Sequence, residues 1–177
     1  EISGDIERQD SIGQATRASI GKEAYKLDVE QQCCGGLNFG YYYDGSPIIA
    51  YDGERQPAYT MGTFTSSTVP GCRAPHLWLE SRRSLYDALG PDYTLLRLDP
   101  TMRVTGIVEA AAERSVPLTI VDVKAPEARE LYRRKLVLVR PDQHVAWRGD
   151  EEPAAPLDLI DLVRGARTIS KAPGSIY

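Results

Sequence analysis

The sequence is poor in the residues that usually carry chemistry. It has two histidines, His76 and His144, and three cysteines, Cys33, Cys34 and Cys72. An odd cysteine count argues against a disulfide framework. Cys33 and Cys34 are neighbours, and one peptide unit holds their Cα atoms too close for a normal bridge. No Cys-x-x-Cys occurs, and three reduced thiols of a cytoplasmic protein are expected. No apolar run approaches the ~20 residues that cross a bilayer, so no membrane partner is expected. Charge of either sign is not in excess: 21 Lys+Arg against 25 Asp+Glu give a net −4. That balance supplies no attraction to nucleic acid or to an anionic surface.

The familiar catalytic signatures are missing too. There is no G-x-G-x-x-G, no G-x-x-x-x-G-K-[ST], and no G-x-S-x-G elbow. Such glycines let bare backbone N–H groups approach a pyrophosphate or expose a nucleophile. Gly35-Gly36 precedes a strand-like run where a phosphate loop would follow one. Cys72 has no evident neighbour to lower its pKa. No metal-ligand spacing is present. The chain begins at Glu1, without Met and without a basic-then-apolar leader; this start reads as the middle of a longer protein.

What remains is ample for folding. With 177 residues and 42% hydrophobic content, roughly 70% of the unfolded surface can be buried. Four segments are expected. Residues 1–36 form a helical segment belonging to a missing upstream part. Asp10 or Ser11 caps it, and Ile12, Ala15, Ile20, Ala24 and Leu27 lie near one face. Its mostly polar surface calls for an outside partner.

Residues 37–74 are expected as a β-hairpin arm and linker. Leu37–Asp44 and Pro47–Tyr51 are the strands, with turns at Asp44-Gly45 and Asp52-Gly53. Glu54 to Gly71 is rich in Pro, Thr, Ser and Gly and reads as linker. Six of the ten tyrosines fall between Tyr25 and Tyr59, which suits an arm that lies on another surface.

Residues 75–168 alternate strand and helix. Strands are expected at His76–Leu79, Tyr93–Leu98, Leu118–Val123, Leu136–Val139 and Val145–Arg148. Helices are expected at Ser84–Leu89, Gly106–Arg114, from Pro126 to Arg133, and from Pro156 onward. Ile107, Ala110 and Ala111 face inward in one helix, and Leu159, Ile160, Leu162 and Val163 in the last. The unbroken Leu136–Val139 run fits a strand covered on both faces. A crossover makes the earlier strands parallel, and a short turn makes the last two a hairpin. The result is an α/β, thioredoxin-like three-layer domain preceded by a helix and β-hairpin arm. Residues 169–177 form a tail.

Few side chains invite a functional assignment. A general base at His144 beside Asp142 is conceivable, but the reading preferred is a hairpin whose polar tip carries both. His76 is expected as a buried, hydrogen-bonded histidine. Arg129, Arg133, Arg134 and Lys135 suit the C-terminal end of a helix. The aromatic residues Tyr41, Tyr42, Tyr43 and Trp147, with His144, are the candidate interface.

Several strings resemble one family. Val69-Pro-Gly-Cys-Arg-Ala-Pro-His-Leu-Trp-Leu79, Ser84–Gly90, Tyr93–Leu98 and Leu136-Val-Leu-Val-Arg-Pro-Asp-Gln-His-Val-Ala-Trp-Arg148 look like the C-terminal region of class A flavoprotein aromatic hydroxylases. This group includes the phenol and polyketide hydroxylases. Phe39-Gly-Tyr and Asp44-Gly-Ser-Pro47 resemble the segment before it. The resemblance covers about residues 36 to 167. It implies a parent monooxygenase that binds FAD, takes electrons from NADH or NADPH, and oxygenates an aromatic ring. It places flavin and catalysis in a missing N-terminal FAD domain, so no catalytic, cofactor or metal residue is carried over to this chain. It also implies a thioredoxin-like fold and a possible homodimer. The chain departs from true thioredoxins in having no dithiol and no proline before Leu136, so redox activity is not expected. The alternative is a free-standing, redox-inactive thioredoxin-like binding module, or, from a third class, a thiol enzyme using Cys72 or Cys33-Cys34.

Overall fold

The computed structural model describes residues 3–32, 34–80, 82–125 and 127–166. Cys33, Pro126 and the tail at 169–177 lie outside the described residues.

A short 3₁₀ turn at Gly4–Glu7 leads into α1, Ser11–Gln32. Asp10 caps α1: its Oδ1 accepts from the N–H groups of Ile12 (3.1 Å) and Gly13 (3.0 Å), satisfying donors the helix itself cannot. Ile12 and Leu27 are exposed on α1. Among the described residues, the only regular element that packs closely on α1 is the 3₁₀ turn.

The chain that follows contains a short α2 (Gly35–Phe39), then α3 (Leu85–Ala88), β1 (Tyr93–Arg97), α4 (Thr105–Glu113), β2 (Leu118–Asp122), α5 (Ala128–Tyr132), β3 (Leu136–Val139), β4 (Val145–Gly149) and α6 (Pro156–Val163). The sheet order is β2-β1-β3-β4. β1 and β2 are parallel, while β1–β3 and β3–β4 are antiparallel. This is the order and polarity of a thioredoxin-like sheet. Period-2 alternation sends successive side chains to opposite faces. Leu95, Leu136 and Leu138 therefore join α4 and α6 in one core. Leu96, Val137 and Val139 join α3 and α5 in the other. All four β3 residues are buried, as a strand covered on both faces requires.

The structure corrects the hairpin arm. Gly35–Phe39 is a short helix, α2, and none of the residues from Tyr41 to Tyr51 forms a regular strand. Two causes are visible. Gly36 sits so close to the 60–63 loop that a Cβ on it would lie 1.7 Å from the Thr60 carbonyl oxygen, and Leu37 N–H donates to Met61 at 3.0 Å. Gly35-Gly36 thus opens a helix instead of ending one. Beyond it, the arm spends its hydrogen bonds on the domain. Ala50 N–H donates to Ala146 (2.8 Å), Gly71 N–H to Val145 (2.8 Å), and Val145 N–H to Cys72 (2.9 Å). These bonds seal the outer edge of β4, which would otherwise present unpaired groups. The turns at Gly45 and Gly53 are present, with φ of 61° and 83°. The Tyr51 hydroxyl closes the first loop, receiving Ser46 N–H and donating to the Tyr43 carbonyl.

The expected strand at His76–Leu79 is reduced to a single bridge between Trp78 and Ser84. Ser84 caps α3, accepting from Tyr86 N–H at 3.1 Å.

Candidate functional site

The features that join chemistry-bearing side chains lie where the arm meets the β3–β4 hairpin. Arg140, Asp142 and His144 come from the turn after β3. Tyr41 and Tyr43 come from the arm, carried across by Tyr43 N–H donating to Gly71 at 3.0 Å. The Tyr43 hydroxyl donates to Asp142 Oδ2 at 2.8 Å. Arg140 donates to the same carboxylate from Nε and Nη2 at 3.1–3.2 Å. Burial opposes the Asp142 charge, but hydrogen bonds from His144, Arg140 and Tyr43 outweigh it and hold the carboxyl well below the usual range. The bond to Asp142, aided by burial, pushes the Tyr43 phenol up.

His144 is not at a solvated tip. Its side chain is 1% exposed, with its ring centroid 5.0 Å from those of both Tyr41 and Tyr43. Nδ1 lies 2.9 Å from the Asp142 carbonyl oxygen, so this nitrogen carries the proton. Nε2 is buried and has no hydrogen-bond partner. A general base must reach a substrate proton, and this nitrogen is buried. His144 here organises packing.

A second junction centres on Arg148, whose side chain is 2% exposed. Its guanidinium donates to Asp52 (2.7 Å), to Thr68 Oγ1 (2.9 Å) and to Glu54. The Thr68 hydroxyl donates onward to the Tyr132 carbonyl at 3.0 Å, and the Tyr132 hydroxyl to the Pro75 carbonyl at 2.5 Å. β4, the linker and α5 are thereby fastened at one point. Asp52 is held below its ordinary pKa because the Arg148 bonds outweigh its burial. A pocket of ≈ 410 Å³ opens beside this hub, lined by Glu54, Ser67, Thr68, Glu130, Arg133 and Arg148 among others.

A third feature is a run of stacked groups. Phe64 meets Phe39 edge-on at 6.4 Å. The Arg73 guanidinium lies 5.1 Å from the Phe39 ring centroid and 5.0 Å from that of Tyr86. His76 then contacts Tyr86 and Trp78 at 5.3 and 5.0 Å.

Of the five expected interface residues, Tyr41, Tyr43 and His144 come together. Tyr42 instead bridges to Cys72, and Trp147 packs on the core cluster that includes α4 and α6. His76 is exposed, not buried, and bonds to Ser84 Oγ at 3.0 Å. In the basic cluster, Arg134 pairs with Asp150 and Lys135 with Asp99. Burial pushes the Cys72 thiol up, the reverse of what a nucleophilic thiol needs. Sequence reasoning misses Arg148 and Arg73. An arginine inside the apolar run of β4, with Asp52 and Glu54 two residues apart upstream, is the available signal.

Neither strand-to-helix turn of the described residues has the glycine-rich form that holds a flavin dinucleotide's pyrophosphate. Dinucleotide pyrophosphates sit on a glycine-rich turn between strand and helix. In this chain β1 reaches α4 through residues 98–104, and β2 reaches α5 through 123–127, with no glycine in either turn. Among the described residues, no three His, Cys, Asp or Glu side chains cluster to hold a metal, and no helix is long and apolar enough to cross a membrane.

Comparison with known proteins places this geometry. Residues 67–168 match the family described as "Aromatic-ring hydroxylase, C-terminal". Phenol 2-monooxygenase of Pseudomonas sp. is 30% identical over 182 residues, covering 89% of this chain but 28% of that protein. Aklavinone 12-hydroxylase RdmE of Streptomyces purpurascens is 34% identical over 137 residues, covering 70% of this chain and 25% of the relative. Among solved structures, RebC with bound 7-carboxy-K252c superposes with a TM-score of 0.81 at 38% identity, covering 94% of this chain and 32% of RebC. The chain therefore spans less than a third of the length of these relatives. Residues 67–168 carry the match to the aromatic-ring hydroxylase family, to whose C-terminal region this chain belongs.

Proposed function

We propose that the chain is the C-terminal structural portion of an FAD-dependent, NAD(P)H-using aromatic-ring monooxygenase, and that it contains neither the flavin site nor the catalytic residues. The observation that carries this reading is the coverage: nearly all of this chain matches under a third of RebC. The chemistry in the chain agrees. Its one buried imidazole is sealed, its buried thiol is pushed toward the protonated form, and neither strand-to-helix turn suits a pyrophosphate. In the proposed role the Arg148 and Asp142 junctions hold the arm in register, so that the domain can brace an upstream FAD domain and contribute to a homodimer.

The test is to read the coding sequence upstream of Glu1 and to assay both products. The longer protein should copurify with FAD and oxidise NAD(P)H. Residues 1–177 alone should be colourless and inert. A start codon directly before Glu1 would instead favour a free-standing thioredoxin-like binding module.

A further inference from the structure

The segments Cys33–Tyr43 and Gln56–Gly71 contain no Asp, Glu, Lys or Arg, in a chain that is 26% charged. The fold brings them together. Leu37 N–H donates to Met61, and Gly36 packs against Thr60 and Thr63. Four of their apolar side chains are left outside: Leu37 is 52% exposed, Phe39 47%, Met61 59% and Phe64 36%. The stacked run through Arg73, Tyr86 and His76 extends this surface to Trp78, itself 61% exposed. Aromatic residues, Met and Arg, with charge depleted at the centre, are the composition of an interface core. Contiguous exposed apolar surface of this kind marks a binding face.

We infer that this face, from α2 across the 60–64 loop to Trp78, is the docking surface for the flavin-binding portion of the same polypeptide. The inference rests on the proposed function and adds which surface meets that portion. Two observations select this occupant over a second copy. α2, at one end of the face, follows α1 closely in the sequence, and α1 is exposed along nearly its whole length, Gly13 being its only buried described residue. A helix with so little of its own burial depends on packing from elsewhere. The matched relatives also carry more than two thirds of their length beyond the region this chain covers, so a large neighbour in the same polypeptide accompanies this region.

The experiment is hydroxyl-radical footprinting of the full-length protein, read residue by residue by mass spectrometry, with the urea-denatured protein as reference. Phe39, Met61, Phe64 and Trp78 should react several-fold more slowly in the native protein than their exposure within residues 3–166 dictates. Ile120, on the β2 edge and 39% exposed, should stay at its exposed rate. Protection must persist on dilution into the monomeric range. Native reactivity as high as that exposure dictates overturns the inference, and so does protection that arises only with dimerisation, which would assign the face to a second copy. Phe39→Arg should restore labelling at Met61 and Trp78; unchanged protection there would also count against it. The outcome is separate from that of the proposed function, because a full-length protein without flavin would sink that proposal whatever the footprint shows.

Discussion

The Tyr43 hydroxyl donates to the Asp142 carboxylate across a sequence separation of 99 residues, at 2.8 Å. This bond ties the arm to the β3–β4 turn, and Arg140 supports it from the same turn. Tyr43→Phe should lower stability by about 1 kcal/mol, the net worth of one such hydrogen bond. Asp142→Asn should cost more, since it also strips Arg140 of its charged partner. In a double-mutant cycle by urea unfolding, the two effects should be less than additive. Full additivity would mean that the bond is not formed in solution.

The same carboxylate gives a pH dependence. Its pKa is depressed in the folded state, so its contribution is complete above the unfolded carboxylate range. It is lost as pH falls through the folded value. Stability should therefore begin to fall below about pH 5 and go on falling below the ordinary carboxylate range, and Asp142→Asn should flatten part of that fall. Parallel urea titrations of both proteins measure the difference.

Arg148 is a buried ionic junction, binding Asp52, Glu54 and Thr68. Arg148→Ala should cost about 3 kcal/mol, because it leaves Asp52 and Thr68 without their charged partner. It should also expose the 52–68 segment to limited proteolysis before the sheet unfolds. Arg148→Met, which keeps the packing of the stem, should recover part of the stability and none of the protease resistance.

Gly71 has φ of 97°, and a Cβ there would lie 2.4 Å from the Tyr43 carbonyl oxygen. Gly71→Ala should destabilise by roughly 2 kcal/mol or more, from backbone strain and the lost bond to Tyr43 together. Gly45→Ala, at φ of 61° with open space around it, should cost about 1 kcal/mol from strain alone. Thermal melts of the two variants rank these effects.

The domain is largely legible in the sequence. The unbroken Leu136–Val139 run and the Ile107/Ala110/Ala111 spacing each report burial by a local pattern, and the structure buries those residues. The arm is not legible, because its conformation is decided by distant partners. Leu37–Asp44 has strand-like composition, yet Gly36 is drawn against Thr60, and Ala50 bonds to Ala146. The burial of His144 is hidden for the same reason: Tyr41 and Tyr43, which cover it, lie far away in the chain. Arg148 is hard to read as a hub because its acidic partners, Asp52 and Glu54, lie far away in the chain.

The central claim is that the flavin resides outside residues 1–177, and its most direct measurement is the FAD content of two purified proteins. Residues 1–177 alone should retain no flavin and show no NAD(P)H oxidation, while the protein that includes the upstream sequence should bind FAD stoichiometrically. Stoichiometric FAD on residues 1–177 alone would contradict it.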